Sequence, residues 1–172
     1  IKDKKEEKDT LTLRYVDERL LSAPHVALMQ VKKEIDYMLS LVEENTKASF
    51  VAMEKGSAEH DEKIRKNEEI IDFTNSALTK FLIKLSVNME ESDENIVGSY
   101  FHVLNDLERI GDHAENFHEI GIEMMGKKIA FSDRAHCDIA AMRDTVMQMF
   151  AIAKDAFENL NKGQLYSLTK LE

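Results

Sequence analysis

One cysteine, one proline, six glycines and no tryptophan are spread over 172 residues. The lone Cys137 excludes an internal disulfide and a cysteine-based zinc ribbon, and it suits a reducing compartment. So few breakers exclude a turn-rich β-sandwich and a low-complexity disordered chain. No uninterrupted apolar run approaches the roughly 20 residues that cross a bilayer. No secretory signal opens the sequence, so the chain reads as soluble and intracellular. Basic residues are also short, 23 against 33 acidic ones, for a net charge of −10 with neutral histidines. That balance disfavours nucleic acid as a partner, because phosphates need a basic face. Also missing are a phosphate-cradling glycine loop, a nucleophile elbow and a Ser–His or Cys–His arrangement with workable spacing. Nothing points to an enzyme. What is present is a Leu, Met, Ala, Glu and Lys vocabulary, 43% apolar and 33% charged, long enough to bury a core. The expected class is all-α.

The first nine residues, Ile1 to Asp9, are a mixed-charge run without apolar periodicity and read as a solvated linker. Residues 10–23 read as extended or irregular. Ser22 and Pro24 then signal a helix start, since proline fits the first turn, where its missing N–H costs nothing. A first helix over about 24–55 carries Leu28, Val31, Ile35, Met38 and Val42 at alternating steps of three and four. Gly56-Ser57 breaks it, with Ser57 available to cap the next helix. The second, to about 88, turns Ile64, Ile71, Leu78, Leu82 and Leu85 inward. Ser92, Asp93 and Glu94 open the third, where acids favour the positive helix end. Its expected inward row is Ile96, Tyr100, Val103, Leu107, Ile110, Ala114, Phe117 and Gly121, and Lys127-Lys128 suit its negative end. Ser132-Asp133 open a fourth, with Ile139, Met142, Val146, Met149, Ala153, Ala156 and Leu160 on one side. Rods of about 30 residues span about 45 Å. Short connections make successive rods antiparallel, so an elongated up-down bundle is expected.

The fourth helix resembles the first. A shift of 107 residues places Ile35 on Met142, Leu39 on Val146, Val42 on Met149 and Phe50 on Phe157. It also places Met53 on Leu160 and Lys55-Gly56 on Lys162-Gly163. The implied organisation is a linker and lead-in over 1–22, a three-helix bundle over 23–128, and the first helix of an incomplete second bundle over 129–172. A fourth helix without its own partners exposes an apolar face, from which self-association through that helix is expected.

Chemistry resides in carboxylates. Glu108, Asp112, Glu115 and Glu119 are spaced four, three and four, and so share one strip of the third helix. Four like charges on one strip repel and call for an offsetting cation. On the second helix Glu68 and Asp72 repeat the i, i+4 spacing at the border of the apolar row, displaced in the same rotational sense. In antiparallel neighbours the two pairs converge, making an oxygen-rich patch that suits magnesium, calcium, manganese, iron or, with a histidine, zinc. A single acid pair of this kind is ordinary solvated surface. Two pairs on adjacent helices, with no lysine on the third-helix strip, are less ordinary. Glu115 and His118 spell Glu-x-x-His, but a di-iron bundle needs two copies and two further glutamates. His118 therefore reads as a packed or hydrogen-bonded histidine, and Gly111 as a point of close helix contact.

The run Glu108-Arg-Ile-Gly-Asp-His-Ala-Glu-Asn116 resembles the signature of the PhoU family, and Glu68-x-x-x-Asp72 resembles its companion motif on the preceding helix. Tyr15-Val-Asp-Glu-Arg-Leu-Leu-Ser-Ala-Pro24 and the helix after it resemble something narrower. They look like the PhoU-like cytoplasmic region following the membrane domain of bacterial sodium/phosphate cotransporter-family proteins. The resemblance implies tandem three-helix bundles, and iron or zinc held at Glu68, Asp72, Glu108 and Asp112. Glu115 joins that set from its spacing alone. It further implies a regulatory role in phosphate uptake at the inner face of the membrane, with the parent protein's transport domain as partner. Two departures stand out: most of the second bundle is missing, so its cluster cannot form, and Phe117 replaces an aliphatic residue. The alternatives are a free-standing PhoU-type regulator of a phosphate ABC transporter and its sensor kinase, or a helical domain used only for protein contacts.

Overall fold

A computed structural model describes residues 11–87, 89 and 91–159, the last range without the side chains of 91–93. The expectations for residues 1–9 and for Leu160, Lys162 and Gly163 lie outside the described residues. Four long helices carry the fold: α1 (Pro24–Lys55), α2 (Asp61–Ser86), α3 (Glu91–Gly126) and α4 (Asp133–Asn159). There is no strand among the described residues, and no helix is long and apolar enough to cross a membrane.

The local signals act much as their chemistry dictates. Pro24 opens α1, and Gly56 closes it in the left-handed conformation, its N–H donating to the Ala52 carbonyl. The Ser132 hydroxyl accepts from the Ala135 N–H at the start of α4. Ser57 does not cap α2. Its hydroxyl accepts from Glu59 N–H within a turn, and the helix begins four residues later, with Asp61 and Glu62 in its first turn. The helix α3 starts at Glu91, one residue before the expected signal.

Side-chain pairs fix the directions. Asn45 near the end of α1 meets Ile64 near the start of α2, and Phe50 meets Phe117 of α3, ring centroids 5.2 Å apart. Arg143 of α4 meets Glu54 of α1, and Lys154 meets Glu43. The course is therefore up, down, up, down, with α1 central: it packs on α2, α3 and α4.

The core rows of α1 and α2 hold Leu28, Val31, Ile35, Met38 and Val42 against Ile64, Ile71, Leu78, Leu82 and Leu85, all buried. The α3 row departs in part from expectation. Val97, Leu104, Leu107, Ala114 and His118 are buried, while Ile96 and Ile110 are exposed. Gly121, inward as expected, is the point of closest approach. A Cβ on Gly121 would stand 2.8 Å from the Ala52 carbonyl carbon and 2.9 Å from the Met53 nitrogen, so α3 meets α1 backbone to backbone there. Ile110, Phe117 and Ile120 line instead an apolar cleft of about 380 Å³, with Thr46, Ser49 and Phe50 of α1 beside them and Met142 and Val146 of α4 on its far wall.

The lead-in over residues 11–22 is packed onto the bundle. Val16 is buried in the core, and the Tyr15 N–H donates to buried Glu34 at 2.8 Å. Arg14 lies over the Tyr37 ring, 3.5 Å from its centroid, and a short 3-10 helix (Glu18–Ser22) leads into α1.

Candidate metal centre

The apolar α2 core row steps seven residues from Ile64 to Ile71, and the buried Asn67 and Glu68 stand between them. Opposite them, the α1 row changes chemistry beyond Val42: Asn45 is buried against Asn67 and Glu68, while the buried Thr46 and Ser49 face the cleft lined by α3 and α4. At the same level α3 presents Gly111. The bundle thus has a polar interior layer walled by all three helices.

Glu68 is 6% exposed, inside the core row and not at its border as the spacing suggests. Its Oε2 accepts from Asn45 Nδ2 at 3.4 Å, and its buried Oε1 has no hydrogen-bond partner. The Asn45 carboxamide also donates to the Ile64 carbonyl at 3.2 Å and accepts from Asn67 Nδ2 at 2.9 Å. Asn67 donates in turn to Glu44, which pairs with Lys63 at the surface.

Asp72, one turn along α2, and Asp112 on α3 are exposed. One carboxylate oxygen from each of Glu68, Asp72 and Asp112 lies within 4.8 Å of the others. The two helices therefore do aim their acids at one spot. Glu108 and Glu115 flank it on α3 and are half-buried.

Electrostatics follow from this crowding. Burial, then the charges of Asp72, Glu115 and Asp112, push the Glu68 carboxyl up to about 7, against the Asn45 hydrogen bond. Burial and Asp112 raise Asp72. Glu108 is raised by burial, Asp112 and Asp72, with Arg109 opposing. Glu115 is raised by burial, Glu119, Asp112 and Asp72, with Arg65 opposing. A set of carboxyls all displaced toward the neutral form is one that a cation relieves. A buried, unpartnered carboxylate oxygen beside two more carboxylates fits a hard or borderline cation.

His118 stands apart. It is 2% exposed, its Nε2 lies 3.3 Å from Asp61 Oδ1, and it is outside the acid cluster. Asn45 and Asn67 are what spacing arguments on acids overlook, while Gly111 is the close helix contact that the sequence suggests. The available signal was polar residues in the core phase of α1 and α2.

No curated protein and no solved structure matches the chain. A family model, the PhoU domain, matches residues 35–120, which span α2, most of α1 and α3, and every residue of the acid cluster. The chain belongs to the PhoU domain family.

Proposed function

We propose that the chain is a cation-binding regulatory module of phosphate transport, with the ion held by Glu68, Asp72 and Asp112 and flanked by Glu108 and Glu115. PhoU proteins are regulatory and non-enzymatic, and the family is tied to the regulation of phosphate transport. The observation that carries the cation reading is the unpartnered, buried Oε1 of Glu68 beside two further carboxylates. Leaving such an oxygen unmet is costly in a finished interior, and a ligand removes the cost. Iron and zinc, the ions the family resemblance implies, both accept oxygen donors. When bound, a cation supplies charge that ties α2 to α3, and whatever binds only the assembled geometry biases the module toward it.

The sequence of the lead-in favours attachment to a sodium-coupled transport domain, which would place the module at the inner face of the membrane. The docking of residues 11–22 on α1 and α2 supports this, since a pull on the lead-in reaches the bundle through Val16 and Glu34. The free-standing alternative is distinguished by the reading frame upstream of Ile1, where membrane-spanning helices favour attachment and a nearby start codon favours a free regulator.

Calorimetric titration with iron(II), zinc(II) and manganese(II) tests the site. Saturable binding that weakens at least ten-fold in Glu68→Gln and Asp112→Asn is expected. An absence of binding at millimolar metal would sink the reading.

A further inference from the structure

Resting on the cation reading above, we propose that Asn45 and Gly111, neither of which offers a charge, position the Glu68 carboxylate and so set the affinity of the site. Glu68 reaches the cluster from an interior helix face, where an unrestrained glutamate has several rotamers to choose from. Two contacts remove that freedom. Asn45 of α1 donates to Oε2, which leaves Oε1 as the free oxygen. Gly111 of α3 supplies the floor: a Cβ there would stand 3.2 Å from Oε1 and 3.2 Å from Oε2, closer than either can comfortably sit. Glycine lets the carboxylate lie against α3 within reach of Asp112, the next residue. A methyl group at 111 displaces it from α3 by a few tenths of an ångström, away from the ligand it must join.

Asn45 is itself fixed. Its carbonyl oxygen accepts from Asn67 and its amide also donates to the Ile64 carbonyl, so its orientation is not free to reverse. The chain of contacts continues through Asn67 to Glu44 and Lys63. The first helix, which carries no acid of the cluster, thereby becomes part of the site. Outer partners that orient ligands in this way change affinity without touching the ion.

The test is titration of the purified chain with manganese(II), free ion read by electron paramagnetic resonance, beside thermal melts of the metal-free protein. Asn45→Ala is expected to raise the dissociation constant roughly 10- to 100-fold. Gly111→Ala is expected to raise it about 10-fold with an unchanged or higher melting temperature, because alanine is the better residue in a helix interior. A role in folding alone cannot give that split. In a Glu68→Gln background neither change should weaken binding further. Wild-type affinity in either variant overturns the role given to that residue and leaves the cation site standing. Failure of the unaltered chain to bind manganese overturns both the site and the positioning drawn from it.

Discussion

Ile35 and Met142 occupy equivalent places in two helices of similar pattern, yet Ile35 is 0% exposed and Met142 is 54% exposed. The first belongs to α1, which is enclosed by α2, α3 and α4. The second belongs to α4, which rests chiefly on α1 and in which Phe150 alone is buried. Amphipathic periodicity records that a helix has a face to bury; it does not record how many neighbours arrive to bury it. Truncating Ile35 to alanine should cost about 2–5 kcal/mol, the range for large-to-small changes in a closed core. Met142→Ala should stay within roughly 0.5 kcal/mol. Chemical denaturation of the two variants measures this. Equal losses would show that α4 is buried in solution by something that binds it there.

The enclosed half also contains Glu68, a core carboxyl that burial and neighbouring acids push toward the neutral form, and this makes the contrast pH-dependent. Glu68 is raised to about 7 in the fold from an ordinary 4.5. Between those values the folded chain holds a proton that the unfolded chain has released, so stability falls as pH rises. The contribution is fully present below about pH 4.5 and gone above about pH 7, at most roughly 3 kcal/mol over that span. Glu43 and Glu44, held low by Lys47 and Lys63, titrate below this window with the opposite sign. In metal-free protein the melting temperature should therefore drop from pH 5 to pH 8, and Glu68→Gln should flatten the drop. An identical slope in both proteins would refute the assignment.

Sequence alone reached the helix count, the ends of α1 and the two acid pairs, because Pro24, Gly56 and the four-residue spacing of Glu68 with Asp72 and Glu108 with Asp112 are local facts. On α3 it placed Leu107, Ala114 and Gly121 inward correctly and missed the rest of the row. Ile96 and Ile110 have the hydrophobicity of core residues, but α3 closes on its neighbours at Gly111 and Gly121, whose value lies in what is absent from them. It also set Glu68 at the border of its row, since a charged residue is assigned outward by default, although Asn67 and Glu68 are what stands between Ile64 and Ile71 in core phase. Their burial depends on Asn45, 23 residues away from Glu68 in sequence, and pattern on one helix cannot report a partner on another.

The two glycines at either end of α3 sharpen the same lesson at smaller cost. Gly121→Ala must push α3 off the Ala52–Met53 backbone, a strain of about 1–3 kcal/mol that better helix propensity only partly offsets. Gly98 has nothing within 4 Å of where its Cβ would be. Gly98→Ala should therefore stabilise by up to about 1 kcal/mol. Thermal melts showing both changes stabilising would mean that the close α1–α3 approach is not formed.

The smallest effect tests how α4 is held. Arg143 Nη1 meets both oxygens of Glu54 at 2.6 and 2.8 Å, and its Nε and Nη2 meet Asp144. Lys32, from the other end of α1, lies over the Phe157 ring. These are solvated contacts, individually weak, around one buried phenylalanine. A helix so attached opens without the rest of the bundle, so its amides should exchange well before those of α1 at Val31 to Val42. Arg143→Ala should speed α4 exchange up to about five-fold and leave the α1 rates alone, because the guanidinium constrains the docking of α4 and nothing inside the three-helix core. Exchange of α4 at the α1 rate, before or after the substitution, would mean that the four helices unfold as one unit and that the contrast between them is only one of surface area.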